Sequence, residues 1–334
     1  MSFGSSSGPL YGVLGLAATS AVVLFPATQI KALYGVTVGY GASIAAMGAM
    51  LRYGGDILGV NKLLLPTQTL QHSPASEVLA NSLTAALICY GTRLSLFLWL
   101  REALQWRPRA HNKLDEMPRW KRIPFAMSLC LFYACLATPV LMVVVAKNEN
   151  NNDNDKGNAK STGTTGTARL VVETVGVALT WGGILIEAIA DGHKSWVKSE
   201  SRPNNADNNN NNNNNSYKDD EFVGPTGGLY AIVRHPNYLG EVTVYTGLLI
   251  AAIPSLGTSL TGWICSAVGW GGIVNLMRGS AQRLVNKQIE RYGGQATFQA
   301  WVHRVPYPWI PFVKDVPTTT TTTTPTTGDN QKTD

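Results

Sequence analysis

Charged residues and cysteines are both scarce in this sequence. Of its 334 residues, 14% are Asp, Glu, Lys or Arg, whereas 45% are hydrophobic. Ordinary soluble domains carry about 25% charged residues, so the composition disfavours a soluble globular protein. The four cysteines, Cys89, Cys130, Cys135 and Cys265, all lie in apolar segments, and their spacing matches no zinc or haem pattern. We interpret them as small buried hydrophobic residues and predict no metal site.

The N-terminal segment lacks basic residues, since residues 1–9 contain no Lys or Arg. A secretory signal peptide begins with a positively charged region, so we expect the first apolar run to be retained as a membrane span. The net charge of +6 would suit nucleic acid. The cations lie in short loops between apolar segments, however, which is typical of membrane topology. We therefore expect no nucleic-acid partner.

Long apolar runs dominate the sequence, and a spanning helix needs about 20 mostly apolar residues. The pattern predicts an all-α membrane bundle of about seven transmembrane helices, followed by a cytosolic C-terminal amphipathic helix. The predicted spans are residues 10–30, 33–51, 78–100, 124–146, 170–190, 238–253 and 256–277.

Basic loops predict the orientation of these spans. The segment 101–123 is rich in Lys and Arg, and so are residues 191–237 and the tail from Arg278 onward. Cytosolic loops carry such an excess of cations, so we expect these three segments to face the cytosol.

Low-complexity tracts interrupt the apolar sequence. The Asn-rich and Thr-rich tracts cannot bury a core, so we predict that they are disordered. The predicted organisation is N-terminal membrane helices over 1–77, a main membrane domain over 78–313 with disordered insertions at 148–168 and 201–222, and a disordered tail over 314–334.

Ionisable residues inside the apolar runs are candidates for function. A charge at the centre of a span costs about 2.5–3.5 kcal/mol on insertion scales. Arg93 lies within the third run, with Tyr90 three residues earlier on the same helical face. Glu187 and Asp191 are four residues apart, and Lys194 continues their face. These groups are interpreted either as topological charges at helix ends or as a polar face that lines a ligand pocket.

The densest polar motif is residues 227–241, GGLYAIVRHPNYLGE. Pro236 disfavours helix at His235 and suits the first turn of the following helix. Arg234 and His235 are therefore predicted to lie at a helix N-terminus, where unpaired N–H groups favour an anion such as phosphate. Arg234 adds a permanent planar cation.

The same motif places further polar groups one turn into that helix. Asn237 and Glu241 are four residues apart and are predicted to point together into the bundle. A membrane-interface turn anchored by Arg234 and Tyr238 is the alternative interpretation. That alternative does not explain a glutamate within the apolar run.

The C-terminal region combines cations with aromatic residues. Arg278, Arg283 and Tyr292 belong to a predicted amphipathic helix, and a Pro-rich aromatic segment follows it. This region is interpreted either as an interfacial anchor or as a source of cations for the phosphates of a ligand.

These residues together resemble a known family. The stretch 227–241 resembles the Gly-Gly-Leu…Arg-His-Pro-Asn-Tyr-x-Gly-Glu signature of the steroid 5-alpha-reductase-like proteins, including their uncharacterised branch. Tyr90-x-x-Arg93-Leu94, the acidic segment 187–194 and the ending 290–311 are similar to further family segments in the same order. The resemblance covers roughly residues 81–313.

The resemblance implies a seven-helix bundle that holds NADPH near the cytosolic side. It implies hydride transfer to a carbon–carbon double bond conjugated to a carbonyl, in a steroid-like or other lipid substrate. It also implies a location among membrane lipids, in the endoplasmic reticulum or alternatively a plastid or mitochondrial membrane. Tyr90 is the implied catalytic residue, which polarises the substrate carbonyl. The implied cofactor-binding residues are Arg93, Glu187, Asp191, Lys194, Arg234, His235, Asn237, Tyr238, Glu241, Arg278, Arg283 and Tyr292.

Two departures from that family and two rival functions remain open. His193 stands where the uncharacterised branch has Gln, and no acidic partner is identifiable in an early span, with Asp56 a candidate by distance only. Isoprenylcysteine and phospholipid methyltransferases share an Arg-His-Pro-x-Tyr-x-Gly motif and bind S-adenosylmethionine. They carry a Glu-Glu pair that is absent from 283–287 here, and they lack a counterpart of Glu241. A non-catalytic lipid-binding or scaffold protein is the other rival.

Overall fold

A computed structural model describes residues 7–57, 74–104, 114–154, 163–200 and 221–314. Within these ranges the chain forms eight α-helices and two short 3₁₀ helices, at Ala32–Val36 and Gly228–Ala231, which confirms the predicted all-α bundle. The α-helices are α1 (Ser7–Ile30), α2 (Val38–Ile57), α3 (Pro74–Leu104), α4 (Arg119–Asn154), α5 (Gly163–Glu200), α6 (Pro236–Leu256), α7 (Leu260–Tyr292) and α8 (Ala296–Arg304).

Helices α1 to α7 alternate in direction, so that the predicted cytosolic segments meet at one end of the bundle, here called the basic end. Lys31 Nζ, after α1, lies 3.0 Å from Glu102 Oε1 at the end of α3. The backbone N–H of Leu33 donates to Asp115 Oδ1 over 3.1 Å. At the opposite end, Arg52 Nη1 of α2 donates to the carbonyl of Asn81 in α3 over 3.1 Å.

Six of these helices are long and apolar enough to cross a membrane, so the protein is an integral, multi-pass membrane protein. The six are α1, α3, α4, α5, α6 and α7. Helix α2, which covers the run predicted as the second span at 33–51, begins only at Val38 and is not among them. Its sequence is rich in Gly and Ala and carries Arg52 and Asp56 near its end, which lowers its apolar character.

Several helices extend beyond the apolar windows. Helix α4 continues to Asn154 and α5 begins at Gly163, so both enter the interval 148–168 that was predicted to be disordered. Helix α7 runs without a break to Tyr292, so the predicted amphipathic helix is its extension, and α8 is a separate short helix. Backbone hydrogen bonds continue past the last apolar turn because nothing interrupts them. Of the segments 201–222 and 314–334 that are predicted to be disordered, residues 201–220 and 315–334 lie outside the described residues, whereas Phe222 is packed against Trp301.

Glycines let α5 and α6 approach at backbone distance. A Cβ added at Gly183 of α5 would lie 2.7 Å from the carbonyl oxygen of Gly240 in α6. One added at Gly240 would lie 2.8 Å from the backbone nitrogen of Glu187. Small residues at such crossings are a common feature of membrane helix pairs. This crossing brings the polar face of α5 against the start of α6.

The guanidinium group of Arg122 connects the end of α1 to the segment that precedes α4, at the basic end. It donates to the carbonyls of Thr28 and Gln29, over 3.3 and 3.1 Å, and to those of Asp115 and Met117, over 2.9 Å each. Two of these carbonyls belong to the last turn of α1, where a cation also offsets the negative end of the helix. This predicted loop cation is therefore structural.

Candidate functional site

Three tyrosine hydroxyls and one carboxylate from three helices meet inside the bundle, and we call this group the tyrosine cluster: Tyr40 of α2, Tyr90 of α3, and Glu241 and Tyr245 of α6. The Tyr40 hydroxyl donates to Glu241 Oε1 over 2.9 Å. It also lies 2.7 Å from the Tyr245 hydroxyl and 3.3 Å from the Tyr90 hydroxyl. Tyr90 is fully buried, and the other three side chains are buried too. Buried polar groups require partners, and this cluster supplies them internally.

A second group, the acid–base cluster, joins α3 to α5. Arg93 Nη2 lies 2.6 Å from Glu187 Oε1, and Arg93 Nη1 lies 3.2 Å from Asp191 Oδ2. The Arg93 side chain is 22% exposed, whereas those of Glu187 and Asp191 are 4% and 11% exposed. Glu187 Oε2 is buried and has no hydrogen-bonding partner among the described residues. One cation thus holds two nearly buried carboxylates, and one oxygen remains for a further donor.

The two clusters form one continuous polar region. Tyr90 and Arg93 lie three residues apart on α3, so they share a helical face. Glu187 interacts electrostatically with both Tyr90 and Glu241. The structure therefore brings together Tyr90, Arg93, Glu187, Asp191 and Glu241, all of which the sequence pointed to as site residues.

The turn before α6 is held by the C-terminal segment. The N–H of Arg234 donates to the carbonyl of Tyr307 over 2.9 Å, and that of His235 donates to the carbonyl of Pro308 over 2.8 Å. Pro236 occupies the first position of α6, as predicted. The N–H groups expected to be available for an anion at this helix start are thus partly used by these carbonyls.

His235 is a neutral, buried imidazole at this turn. Burial, together with the nearby cations Lys194 and Arg234, lowers the pKa of His235 to about 3. Its Nε2 atom is buried and has no partner among the described residues. A neutral imidazole nitrogen suits a hydrogen bond to a polar ligand.

Several cations converge on Tyr238 in the first turn of α6. Arg283 of α7 and Arg101 of α3 both interact electrostatically with Tyr238, as does Asp191. Lys194 is half-buried near Asp191 and Arg101. With Arg234, which is 3% exposed, this set carries more positive than negative charge. Such a donor set suits a ligand that carries several negative charges.

Asn237, Arg278 and Tyr292, which the sequence predicts to bind a cofactor, lie in three different environments. The half-buried Asn237 amide forms no hydrogen bond within the described part of the chain, so it is available to a ligand. Arg278 lies at an exposed position of α7. Tyr292 packs against Phe222 and Phe298, with ring centroids 5.5 and 6.0 Å away.

Tyr292 thus belongs to an aromatic cluster that covers the basic end. The Tyr230 hydroxyl donates to the carbonyl of Ala190 over 3.1 Å, and Trp301 Nε1 donates to the carbonyl of Tyr230 over 3.2 Å. The Phe222 ring stacks on Trp301 at 5.3 Å. These contacts fix the segment 222–235 between α5 and α8, and so position Arg234 and His235.

Sequence reasoning missed Tyr40 and Tyr245. Tyr245 follows Glu241 by one helical turn, and that spacing is a signal that was available. Tyr40 gives no such signal, because its partners lie on other helices. Asp56, the acid considered for an early span, is 16 residues after Tyr40 in α2. That separation is about 24 Å along the helix, so the α2 residue of the cluster is Tyr40.

A family model described as a protein of unknown function, DUF1295, matches residues 56–305. No curated protein and no solved structure matches the chain. The matched range covers about three quarters of the 334 residues and contains both clusters except Tyr40. The chain therefore belongs to the DUF1295 family.

Proposed function

We propose that this protein is a membrane-embedded, NADPH-dependent reductase that transfers hydride to a carbon–carbon double bond conjugated to a carbonyl in a steroid-like or other lipid. The observation that carries the proposal is the buried Tyr90 hydroxyl, which lies in a polar region built by α2, α3, α5 and α6 beside a group of cations. The resemblance of residues 81–313 to the steroid 5-alpha-reductase-like proteins supports it.

The side chains at the basic end fit NADPH by their chemistry. Arg101, Lys194, Arg234 and Arg283 offer cations to phosphate groups, and Arg234 adds the planar geometry that phosphate favours. The Asn237 amide suits a carboxamide, which both donates and accepts. The buried His235 Nε2 and Glu187 Oε2 atoms lack partners among the described residues, as expected of atoms that a polar ligand completes. NADPH, when bound, supplies the hydride.

Tyr90 is the hydrogen-bond donor to the substrate in this proposal. Its hydroxyl donates a hydrogen bond to the substrate carbonyl oxygen, and this bond strengthens as negative charge develops on that oxygen. Burial among helices excludes water, which makes the interaction stronger than it would be in an aqueous site. Arg93 is held in place by Glu187 and Asp191, so it keeps the α3 face that bears Tyr90 against α5.

The location of the site supports the proposal of a lipid substrate. The tyrosine cluster is buried in the bundle, and two of its three helices, α3 and α6, are long and apolar enough to cross a membrane. A substrate therefore reaches Tyr90 more readily from the bilayer than from water. The endoplasmic reticulum is the membrane that we propose for the protein, on the basis of the family resemblance.

Nucleotide binding by the detergent-purified protein tests the proposal. A ligand at 100 times its dissociation constant stabilises the folded state by about 2.7 kcal/mol, so NADPH is expected to raise the melting temperature, and S-adenosylmethionine is not. The variants Asn237→Ala and Arg234→Ala are expected to reduce the NADPH shift, whereas Thr92→Ala, an exposed neighbour of Arg93, is the matched control and is expected to retain it.

The two rival functions predict different results in the same assay. A shift with S-adenosylmethionine alone would indicate a methyltransferase. No shift with either nucleotide would indicate a non-catalytic membrane protein. Equal NADPH shifts in the wild type, Asn237→Ala and Arg234→Ala would contradict the assigned pocket.

A further inference from the structure

Tyr40 is the centre of the tyrosine cluster, because its hydroxyl contacts all three of the other polar groups. A phenol has one proton to donate and two lone pairs to accept with. Its proton goes to Glu241, over 2.9 Å. The lone pairs then accept from Tyr245 and Tyr90, so the hydrogen-bonding capacity of Tyr40 is full.

The three contacts are unequal in length. Hydroxyl–hydroxyl hydrogen bonds are usually about 2.5–3.0 Å long. The Tyr245 contact, at 2.7 Å, lies within that range, whereas the Tyr90 contact, at 3.3 Å, lies beyond it. Tyr90 is therefore the partner that Tyr40 holds most weakly, and its hydroxyl also interacts with the Glu241 carboxylate. A competing acceptor displaces the Tyr40–Tyr90 contact at the lowest cost.

We propose that Tyr40 is the positioning residue for Tyr90: in the ligand-free protein its oxygen accepts a hydrogen bond from the Tyr90 hydroxyl, and when substrate binds the Tyr90 hydroxyl donates to the substrate carbonyl oxygen instead, with its O–H bond intact. Glu241 fixes the Tyr40 proton, so the Tyr40 lone pairs face Tyr90 and Tyr245. This inference rests on the proposed function, in which Tyr90 is the hydrogen-bond donor. Tyr40 itself lies outside residues 56–305, the range that the family model matches.

Tyr133 provides a matched control within the same bundle. It is also a buried tyrosine, and its ring centroid lies 5.0 Å from that of Tyr40. Its hydroxyl, however, donates to the carbonyl of Gly35 over 2.8 Å, and not to the tyrosine cluster. Tyr133→Phe removes a buried hydroxyl next to Tyr40 and leaves the contacts of Tyr40 intact.

The first measurement needs no ligand. 3-Fluorotyrosine is placed at position 90, and its fluorine NMR signal is recorded in the wild-type background, in Tyr40→Phe and in Tyr133→Phe. We expect Tyr40→Phe to shift the signal, because Tyr90 loses one of its two hydrogen-bonding partners and keeps only Glu241, and Tyr133→Phe to leave it nearly unchanged. Tyr245→Phe, which frees a lone pair on Tyr40, is expected to shift the signal in the opposite direction and serves if Tyr40→Phe does not fold.

The second measurement is NADPH oxidation with a 3-oxo-4-ene steroid as the probe. Misplacing a reacting group by about 1 Å costs up to about 100-fold in rate. We expect Tyr40→Phe to lower kcat about 10- to 100-fold while the NADPH-induced melting shift stays at the wild-type value. Tyr133→Phe is expected to keep the wild-type kcat.

The outcomes separate this inference from the proposed function. If Tyr40→Phe shifts the fluorine signal at position 90 but NADPH does not raise the melting temperature of the wild type, the reductase proposal ends and Tyr40 remains the partner of Tyr90. A protein that binds NADPH but whose Tyr90 signal ignores both Tyr40→Phe and Tyr245→Phe would end the Tyr40 proposal. An unchanged kcat in a folded Tyr40→Phe variant would also overturn it.

Discussion

Helix α5 carries two buried glutamates, Glu173 and Glu187, which are 4% and 3% exposed but are paired in different ways. Glu173 Oε1 accepts from Arg169, four residues earlier on the same helix, over 2.8 Å. Glu187 pairs with Arg93, which belongs to α3. The first pair is local, and the second exists only when two helices are packed together.

This difference separates a structural charge from a candidate functional one. Arg169 lies near the start of α5, is 33% exposed and also donates to Ser255 Oγ over 3.2 Å, so it both neutralises Glu173 and reaches the surface. Arg93 serves two carboxylates at once, and Glu187 keeps an oxygen without a partner among the described residues. Incompletely satisfied, cross-helix charge is costly to maintain inside a membrane protein, which favours a role in binding.

The largest expected effect comes from breaking the cross-helix pair. Arg93→Met leaves two buried carboxylates without their cation, and removing one member of a buried pair costs about 3–5 kcal/mol. Arg169→Met leaves only one carboxylate, that of Glu173, without its cation. This pair lies near a helix end, where water is closer, so we expect a smaller loss of stability. Thermal unfolding in detergent measures both.

A triple variant checks the cause of that loss. Arg93→Met combined with Glu187→Gln and Asp191→Asn removes the uncompensated charges, so it is expected to recover much of the stability lost in Arg93→Met alone. Equal losses for Arg93→Met and Arg169→Met would contradict the distinction between the two pairs.

The next effect in size concerns the crossing that brings α5 to α6. A Cβ at Gly183 would lie 2.6 Å from the backbone nitrogen of Val244, whereas one at the neighbouring Gly182 meets no atom within 4 Å. Gly183→Ala is expected to destabilise the protein by about 1–3 kcal/mol, because the helices must separate. Gly182→Ala is expected to be neutral or to stabilise by up to about 1 kcal/mol, since Ala favours helix. Melting temperatures of the two variants provide the comparison, and a neutral Gly183→Ala would argue against a close crossing.

The same contrast between local and cross-helix contacts explains what the sequence predicts well. Apolar runs and local spacing predict the all-α bundle, the start of α6 at Pro236 and the shared face of Glu187 and Asp191. They do not predict that Tyr40 meets Glu241, because that contact depends on how α2 packs against α6. Apolar runs also underestimate helix length, because helices such as α4, α5 and α7 continue beyond their apolar residues.

A third effect concerns His235, the buried neutral group at the start of α6. Because its pKa falls from 6.5 to about 3 on folding, the unfolded chain binds the proton more tightly. Stability is therefore complete above about pH 6.5 and falls as the pH drops from there toward 3, by up to about 1.4 kcal/mol per pH unit.

The His235 prediction is checked by melting temperatures between pH 7 and pH 4.5. Other groups also titrate in this range, so the quantity to compare is the difference between the wild type and His235→Gln. We expect His235→Gln to lose less stability on acidification than the wild type, and the exposed His303→Gln to follow the wild type. A parallel acid loss in the wild type and His235→Gln would show that His235 is not buried as a neutral imidazole.

The smallest expected effect distinguishes two arginines of α7 that the sequence treats alike. Both side chains are exposed, but Arg283 is among the main charges that act on Tyr238 at the start of α6, and Arg278 is not. A screened charge contact near a surface contributes about 0.2–1 kcal/mol, so Arg283→Gln is expected to weaken NADPH binding by up to about fivefold. Arg278→Gln is expected to leave it unchanged, which titration of the NADPH-induced melting shift measures. A larger effect of Arg278→Gln than of Arg283→Gln would contradict this prediction. It would place the phosphates of the ligand next to Arg278, and not at the start of α6 near Tyr238.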